Sequence, residues 1–167
     1  DVLGTDVLAT IARDLIAQIE AGADFIGLGD AAASLVSADI YAEYILPREQ
    51  RIIQAIRDAG AVTRLHICGR TTQLLPHFAA TGAEIVELDA PTDITHAREL
   101  IGPDVVLMGN FDPVRDLYRS TPEKVLEACA ESHGVLGDPY ILAAGCEVPP
   151  GTPRENVEAM FEYARGR

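Results

Sequence analysis

Runs of apolar residues alternate along the chain with stretches whose apolar positions recur every three to four residues. The short runs are typical of buried strands, and the longer periodic stretches are typical of amphipathic helices. The predicted strands cover residues 24–30, 61–68, 83–90, 104–110 and 139–145. The predicted helices cover residues 5–21, 38–59, 72–81, 93–100, 121–134 and 152–167. This strict alternation predicts a parallel sheet whose strands are joined by right-handed helical crossovers.

Proline and hydroxyl residues refine the predicted helix ends. Pro47 lies inside the second helical stretch, so we expect a kink or a break just before it. Thr121 followed by Pro122 is typical of a helix start. Thr152 and Glu155 have the Thr-x-x-Glu spacing of a capping box, which predicts that the last helix begins there.

Two architectures fit about five parallel strands that alternate with helices. One is an open, doubly wound α/β sheet, and the other is a (β/α)8 TIM barrel. A complete barrel usually needs about 250 residues, whereas this chain has 167. Because the first predicted element is a helix, we favour the C-terminal part of a barrel. We expect residues 1–167 to form a single α/β domain.

Charge and composition exclude some classes of function. The formal net charge is −13 and the pI is about 4.5, so nucleic acids and anionic membranes are poor partners. No apolar run reaches the roughly 20 residues that span a bilayer, and no signal-peptide pattern is visible. Three cysteines cannot form a complete disulfide framework. We therefore expect a cytoplasmic protein, in which spaced cysteine and histidine residues more often indicate metal binding or catalysis.

Two phrases place soft metal ligands at predicted strand ends. His66 and Cys68 end the strand in TRLHICGR, and their spacing of two puts them on the same side of it. Cys146 follows the strand in ILAAGCEVPP. Because the carboxyl ends of parallel strands form the functional edge of α/β folds, the three side chains can reach one point, where they suit Zn²⁺ with one position open. The alternative is that the cysteines are small core residues and the histidine a hydrogen-bonded rim residue.

Carboxylates and an amide lie at the other predicted strand ends. Asp30 closes the first strand, Glu87 and Asp89 share one face of the third, and Asn110 ends the fourth. Each carboxylate is a candidate fourth metal ligand, an acceptor that orients His66, or a general base. Asn110 is a candidate for hydrogen bonding to a ligand. The alternatives are solvated or capping roles for the acids and a turn role for Asn110.

Two arginines flank the His-x-Cys pair. Arg64 shares a strand face with His66, and Arg70 follows Cys68 by two residues. Both are candidates for binding an anionic ligand, although Arg64 can instead form an ion pair with a neighbouring acid. Cys129 lies in a predicted helix among apolar residues, and we interpret it as a core residue. Surface or capping roles are predicted for the other histidines, His77, His96 and His133.

Several phrases together resemble the uroporphyrinogen decarboxylase superfamily, and most closely its corrinoid-dependent methyltransferases such as the methylcobamide:coenzyme M methyltransferases. The phrases are AGADFIGLGDAAASLVSADIYAEYILP, LHICGRTTQLL, GNFDP and AAGCEVPPGTPRENVEAM. The resemblance implies that the chain is the second half of a (β/α)8 barrel and that His66, Cys68 and Cys146 hold a catalytic Zn²⁺. Arg70 stands where the motif usually has asparagine.

The same resemblance implies transfer of a methyl group from a methyl-corrinoid to a small thiol acceptor. The methyl-corrinoid is then a co-substrate on a separate corrinoid carrier protein, since no cobalamin-binding motif is visible here. The catalytic residues predicted for this activity are Asp30, Glu87, Asp89 and Asn110. The predicted substrate-binding residues are Arg64, Arg70 and Asn110.

Two alternative functions remain at this point. The first is cofactor-free removal of porphyrinogen carboxylates by a uroporphyrinogen decarboxylase, whose family shares the GNFDP phrase but lacks the zinc cysteines. The second is a non-catalytic half-barrel that needs a partner, or a second copy of itself, to cover its open strand edges.

Overall fold

The computed structural model describes residues 2–166, with side chains from residue 6 onward, and its centre is a parallel five-stranded sheet. The strands are β1 Phe25–Gly29, β2 Val62–Ile67, β3 Ile85–Leu88, β4 Val106–Phe111 and β5 Tyr140–Ala144. Every predicted strand is confirmed, with bounds that differ from the prediction by at most two residues. The alternation of apolar runs and helices therefore predicted the α/β fold class correctly.

The strands lie side by side in the order of the sequence, β1-β2-β3-β4-β5, and every neighbouring pair is parallel. A doubly wound sheet reverses its strand order at a switch point, whereas a (β/α)8 barrel keeps the sequence order. The observed order therefore selects the barrel arrangement over the open sheet.

Helical segments connect the strands and form the layer that covers one face of the sheet. The α-helices are α1 Val2–Glu20, α2 Ala38–Ile40, α3 Leu46–Asp58, α4 Leu75–Phe78, α5 Ala97–Ile101, α6 Pro122–Leu136 and α7 Arg154–Arg165. Short 3₁₀ segments cover Ala31–Leu35, Thr72–Leu74 and Ala79–Thr81, and π-helical segments cover Tyr41–Ile45 and Pro113–Tyr118. No helix among these described residues is long and apolar enough to cross a bilayer.

Several helix boundaries differ from the sequence prediction. The helical run is not broken before Pro47; the change found there is one of helix type, because the π-helical segment Tyr41–Ile45 passes directly into α3 with Pro47 in its first turn. The capping box at Thr152 is wrong: Pro153 occupies the N-cap position of α7, and the Thr152 hydroxyl donates to the Pro149 carbonyl at 2.8 Å instead. The helix predicted over 93–100 begins only at residue 97.

The core lies between the sheet and the helical layer. Leu65 and Ile67 of β2, Val86 and Leu88 of β3, and Leu107 of β4 all pack into one buried cluster with helical side chains. The helical members include Ile53, Leu74, Leu75, Phe78 and Leu136. Because side chains alternate along a strand, the intervening residues point to the opposite face. That second face carries the candidate chemistry.

Arg98 of α5 fixes the segments that lead into the last two strands. Its guanidinium donates to five backbone carbonyls, at distances from 2.7 to 3.0 Å. The acceptors belong to Gly102, Val105, Leu136, Gly137 and Pro139. A planar fork of five donors is needed for this arrangement, so lysine cannot replace it. The contacts hold the start of β5, the strand that leads to Cys146.

A buried carboxyl lies where α3 packs against the π-helical segment. Glu49 is 3% exposed, and its Oε2 accepts a hydrogen bond from the fully buried Tyr41 hydroxyl. Burial raises the pKa of Glu49 to about 7; the Asp30 carboxylate acts in the same direction, and the Tyr41 hydrogen bond opposes it. Arg48 and Asp30 are the other charged groups beside it, in a cavity of about 290 Å³.

This buried carboxyl predicts a stability that depends on pH. A carboxyl whose pKa is raised by folding carries no penalty below its unfolded pKa, and the penalty grows as pH rises through the folded pKa. We therefore expect the free energy of unfolding of Glu49→Gln to rise relative to that of the wild type as the pH increases from about 4.5 to about 7.5. The total change in this difference should be about 3 kcal/mol. Urea unfolding across this range measures the difference. A constant difference between the two proteins would contradict the prediction.

Candidate metal centre

One imidazole and two thiols converge beyond the carboxyl ends of β2 and β5. His66 Nε2 lies 3.1 Å from Cys68 Sγ and 3.8 Å from Cys146 Sγ, and the two sulfurs are 3.8 Å apart. All three ligand atoms lie within 4.8 Å of one another, and no other His, Cys, Asp or Glu group in the described part of the chain meets this criterion. The geometry predicted for these three residues from their strand positions is therefore found.

The spacing of these atoms fits a tetrahedral zinc site. Zn–S bonds of about 2.3 Å and a Zn–N bond of about 2.0 Å place tetrahedral ligand atoms about 3.5–3.8 Å apart. The two distances to Cys146 match this value, and the distance from His66 to Cys68 is slightly shorter. Both cysteines are free thiols, with sulfurs well beyond disulfide length. A zinc ion held by these three ligands would have a fourth coordination position open.

The meeting of Cys68 with Cys146 shows that the sheet is strongly curved. β3 and β4 lie between the two strands that carry these residues. In a flat sheet, strands three positions apart are separated by about 14 Å, which two cysteine side chains cannot span to reach 3.8 Å. The curvature needed here is that of a barrel wall, and it aims both sulfurs at the same point.

Electrostatics around Cys68 favour a cation. Burial raises the pKa of the Cys68 thiol, and the Cys146 sulfur and the carboxylates of Asp89 and Glu87 raise it further. Without a cation, two thiolates next to these acids repel one another. A bound divalent ion would offset that repulsion, because a metal displaces the proton of a coordinating thiol and binds the thiolate. The donor set therefore suits a soft divalent ion such as Zn²⁺.

Glu87 lies behind the imidazole of His66. The two residues are in register on β2 and β3, and His66 Nδ1 is 3.3 Å from Glu87 Oε2. The atoms are within ion-pair distance, although their alignment is not that of a hydrogen bond. With Nδ1 facing this carboxylate, Nε2 faces the two sulfurs. Second-layer carboxylates of this kind orient histidine ligands in metal sites.

Asp89 holds the turn that follows Cys68. Its Oδ2 accepts a hydrogen bond from the Gly69 backbone N–H at 2.6 Å, and its Oδ1 accepts one from the Ala90 N–H at 2.7 Å. Asn110, which is buried, donates from Nδ2 to the carbonyls of Asp89 and Thr92. Both side chains therefore position the backbone next to the cysteine.

Two threonines that the sequence analysis did not single out also hold the backbone of the turn that follows Cys68. The hydroxyl of Thr92 accepts from the Thr71 backbone N–H at 3.0 Å and lies 2.9 Å from the Thr71 hydroxyl. It also donates to the Gly69 carbonyl. The contacts tie the turn after β2 to the turn after β3. Each threonine follows a strand end closely, which is the one sequence signal that these residues carry.

The remaining predicted residues lie on the strand ends and turns next to the triad of His66, Cys68 and Cys146. Asp30 follows β1, and its backbone N–H donates to the His66 carbonyl at 3.0 Å. Arg64 lies with Nη1 3.3 Å from Glu87 Oε2, as in the ion-pair alternative. Arg70 is exposed at the turn after Cys68.

Cys129, His133 and His96 lie outside the triad and contact side chains that do not belong to it. Cys129 is fully buried in α6 against Phe111 and Leu117, which confirms the core interpretation. His133 stacks on Tyr140 with ring centroids 4.9 Å apart, and His96 is exposed beside Glu99.

Comparison with known proteins places the chain in a family. The uroporphyrinogen decarboxylase (URO-D) family model matches residues 5–167. The methylcobamide:CoM methyltransferase MtbA of Methanosarcina acetivorans is 36% identical over 152 residues, which cover 89% of this chain and 44% of that protein. A uroporphyrinogen decarboxylase of Gloeobacter violaceus is 32% identical over 158 residues, covering 93% of this chain and 45% of that protein.

Solved structures show the same relationship. A methyltransferase from Methanosarcina mazei superposes with a TM-score of 0.85 at 28% identity, covering 95% of this chain and 47% of that one. A putative vitamin-B12 independent methionine synthase from Listeria monocytogenes, at 16% identity and a TM-score of 0.65, shares the fold. The chain thus spans about half the length of the proteins it matches, and its five strands correspond to part of a (β/α)8 barrel. It belongs to the uroporphyrinogen decarboxylase family.

Proposed function

We propose that this protein is a zinc-dependent methyltransferase that moves a methyl group from a methyl-corrinoid to a thiol. The observation that carries the proposal is the group formed by His66, Cys68 and Cys146, whose ligand atoms lie at the mutual distances of a zinc site. Similarity to proteins named methylcobamide:CoM methyltransferases supports it, because their names state a corrinoid donor and a thiol acceptor.

The ligands determine what a bound ion does. His66, Cys68 and Cys146 would hold a zinc ion, which would supply the Lewis-acid chemistry that lowers the pKa of an acceptor thiol. Cys68 and Cys146, as thiolates, offset the two positive charges of the ion, so the acceptor sulfur keeps its nucleophilic character. Its electron pair forms a bond to the methyl carbon, and the carbon–cobalt bond breaks. The bonding pair stays on cobalt, which is reduced from Co(III) to Co(I).

The surrounding residues have proposed roles in positioning and proton transfer. The Glu87 carboxylate already has Arg64 and His66 as partners, and the Asp89 carboxylate accepts hydrogen bonds from backbone N–H groups. Asp30 follows β1 next to His66, with its backbone N–H on the His66 carbonyl. We assign its carboxylate, which also borders the cavity beside Glu49, as acceptor of the thiol proton. Asn110 positions the turn, and Arg70, exposed at the edge of the site, is proposed to meet the substrates. The methyl-corrinoid is proposed to arrive on a separate carrier protein.

Metal analysis and a methyl-transfer assay test the proposal together. We expect the purified chain to contain one zinc per molecule. With methylcobalamin and 2-mercaptoethanesulfonate, we expect the visible spectrum to change to that of cob(I)alamin while the methyl thioether forms. Removal of zinc by a chelator should stop both changes, and added zinc should restore them. Turnover that continues without zinc would contradict the proposed mechanism.

Two other outcomes correspond to the alternative functions. The similarity to uroporphyrinogen decarboxylases favours a cofactor-free decarboxylase as the second candidate. Release of carbon dioxide from uroporphyrinogen by zinc-free protein would establish it. Zinc binding without methyl transfer would indicate a half-barrel that requires a partner, since β1 and β5 each have a single neighbour among the described strands. Light scattering then distinguishes a monomer from a homodimer.

A further inference from the structure

Arg64, Glu87 and His66 form a connected row on the sheet face opposite the helical core. Arg64 precedes His66 by two residues on β2, so both side chains point to the same face. Glu87 Oε2 lies 3.3 Å from Arg64 Nη1 and 3.3 Å from His66 Nδ1. A single carboxylate oxygen therefore bridges the guanidinium and the imidazole.

Gly27 of β1 makes room for this row. It is the register partner of Arg64, and a Cβ at this position would lie 2.8 Å from Arg64 Nη2. The φ of Gly27 is not in the left-handed region, so the backbone itself does not require glycine. The space that glycine leaves is filled by the guanidinium.

We propose that Arg64 is a positioning residue of the metal centre, which acts through Glu87 and depends on the space left by Gly27. The proposal builds on the zinc site of the proposed function and assigns Arg64 a role other than substrate binding. Glu87 is 9% exposed, and a buried carboxylate needs a cationic partner. Arg64 supplies that partner and keeps the carboxylate beside His66 Nδ1.

The consequence is a fixed tautomer of the ligand histidine. A carboxylate beside Nδ1 favours the proton on that nitrogen, so the lone pair of Nε2 points to the two sulfurs. Without Arg64, Glu87 loses its cationic partner and turns towards solvent, and the imidazole then loses its orientation. Arg64 thus prepares His66 for the metal before any substrate binds. An anion-binding role for Arg64 would have no such effect on the metal-free protein.

Zinc affinity in the absence of substrates provides the first test. Competition with a chromophoric chelator should show about tenfold weaker zinc binding for Arg64→Gln and for Gly27→Ala. Gly29→Ala is the matched control, because Gly29 lies on the same strand and face and its added Cβ meets nothing within 4 Å. Its zinc affinity should stay within about twofold of the wild type. Arg64→Lys should recover part of the loss.

A double-mutant cycle tests whether Arg64 acts through Glu87. In the Glu87→Gln background, Arg64→Gln should cause little further loss of zinc affinity, because the bridging carboxylate is already absent. Equal losses in both backgrounds would overturn the proposal. Unchanged zinc affinity in both Arg64→Gln and Gly27→Ala would also overturn it and would leave Arg64 as a substrate ligand. Circular dichroism shows whether Arg64→Gln or Gly27→Ala fails to fold. If one of them does, the zinc affinity of the other tests the proposal.

A measurement on the metal-free protein separates this proposal from the proposed function. Nitrogen-15 NMR of the His66 ring should show the proton on Nδ1 in the wild type and in Gly29→Ala. Arg64→Gln and Gly27→Ala should show a mixture of the two tautomers. This result does not depend on zinc, so it holds even if the wild type proves to bind no metal. An identical tautomer in all four proteins would refute the positioning role.

Discussion

Replacing Cys146 with alanine is expected to weaken zinc binding about a thousandfold and to abolish thiol methylation at the same time. Structural zinc sites with four ligands contribute about 10–16 kcal/mol, so one thiolate accounts for about 4 kcal/mol. Cys146 is also the only ligand that comes from β5, and it lies 3.8 Å from each of the other two ligand atoms. Without it, His66 and Cys68 form a two-ligand site that cannot keep zinc against solvent.

Cys129→Ala is the matched control for this substitution. Cys129 is fully buried in a helix and packs against apolar residues. Removing its sulfur should lower the free energy of unfolding by about 1 kcal/mol through lost packing, but it should leave zinc affinity unchanged. Zinc at a thousandfold excess over its dissociation constant should stabilise the wild type and Cys129→Ala by about 4 kcal/mol. Equal stabilisation of Cys146→Ala by zinc would show that the ion binds elsewhere.

The strands were predictable because the chain marks them locally. The apolar run FIGLG and the alternating stretch VTRLHI end at glycine, aspartate or cysteine, so their type and bounds follow from composition, alternation and length. The helices were less predictable. The π-helical turn at Tyr41–Ile45 places Tyr41 over Glu49, and that tertiary contact has no periodic signal in the sequence. At Thr152 the capping-box spacing was present, but Pro153 took the N-cap position.

The metal ligands were predictable in part. The pairing of His66 with Cys68 follows from the two-residue period of a strand. The approach of Cys146 depends also on sheet curvature across β3 and β4, which the sequence does not show. It was predicted from the rule that the carboxyl ends of parallel strands form one functional edge, and the family resemblance supported it. The packing of Arg64 against Gly27 is a contact between register partners on neighbouring strands, which no spacing along the chain reveals.

Gly145→Ala is expected to damage the fold and the metal centre together. A Cβ at Gly145 would lie 2.5 Å from the Ala90 backbone nitrogen and 3.0 Å from the Asn110 carbonyl oxygen. Both neighbours are backbone atoms of the segments that end β3 and β4, and the Gly145 N–H donates to the Phe111 carbonyl. The methyl group therefore has no flexible side chain to displace, and the end of β5 must move away from its neighbours.

That movement carries Cys146 with it, so two properties should change. We expect a loss of about 3 kcal/mol in the free energy of unfolding, which lowers Tm by about 10 °C. Zinc affinity should fall at least about tenfold, because ligand atoms displaced by a few tenths of an ångström no longer meet the bond lengths of the ion. Gly134→Ala is the control, since it lies within α6 and its added Cβ meets nothing within 4 Å; helix propensity should leave it at least as stable as the wild type. A Gly145→Ala protein with wild-type Tm and wild-type zinc affinity would show that the end of β5 is free to shift. The close packing of Gly145 against β3 and β4 would then not determine the position of Cys146.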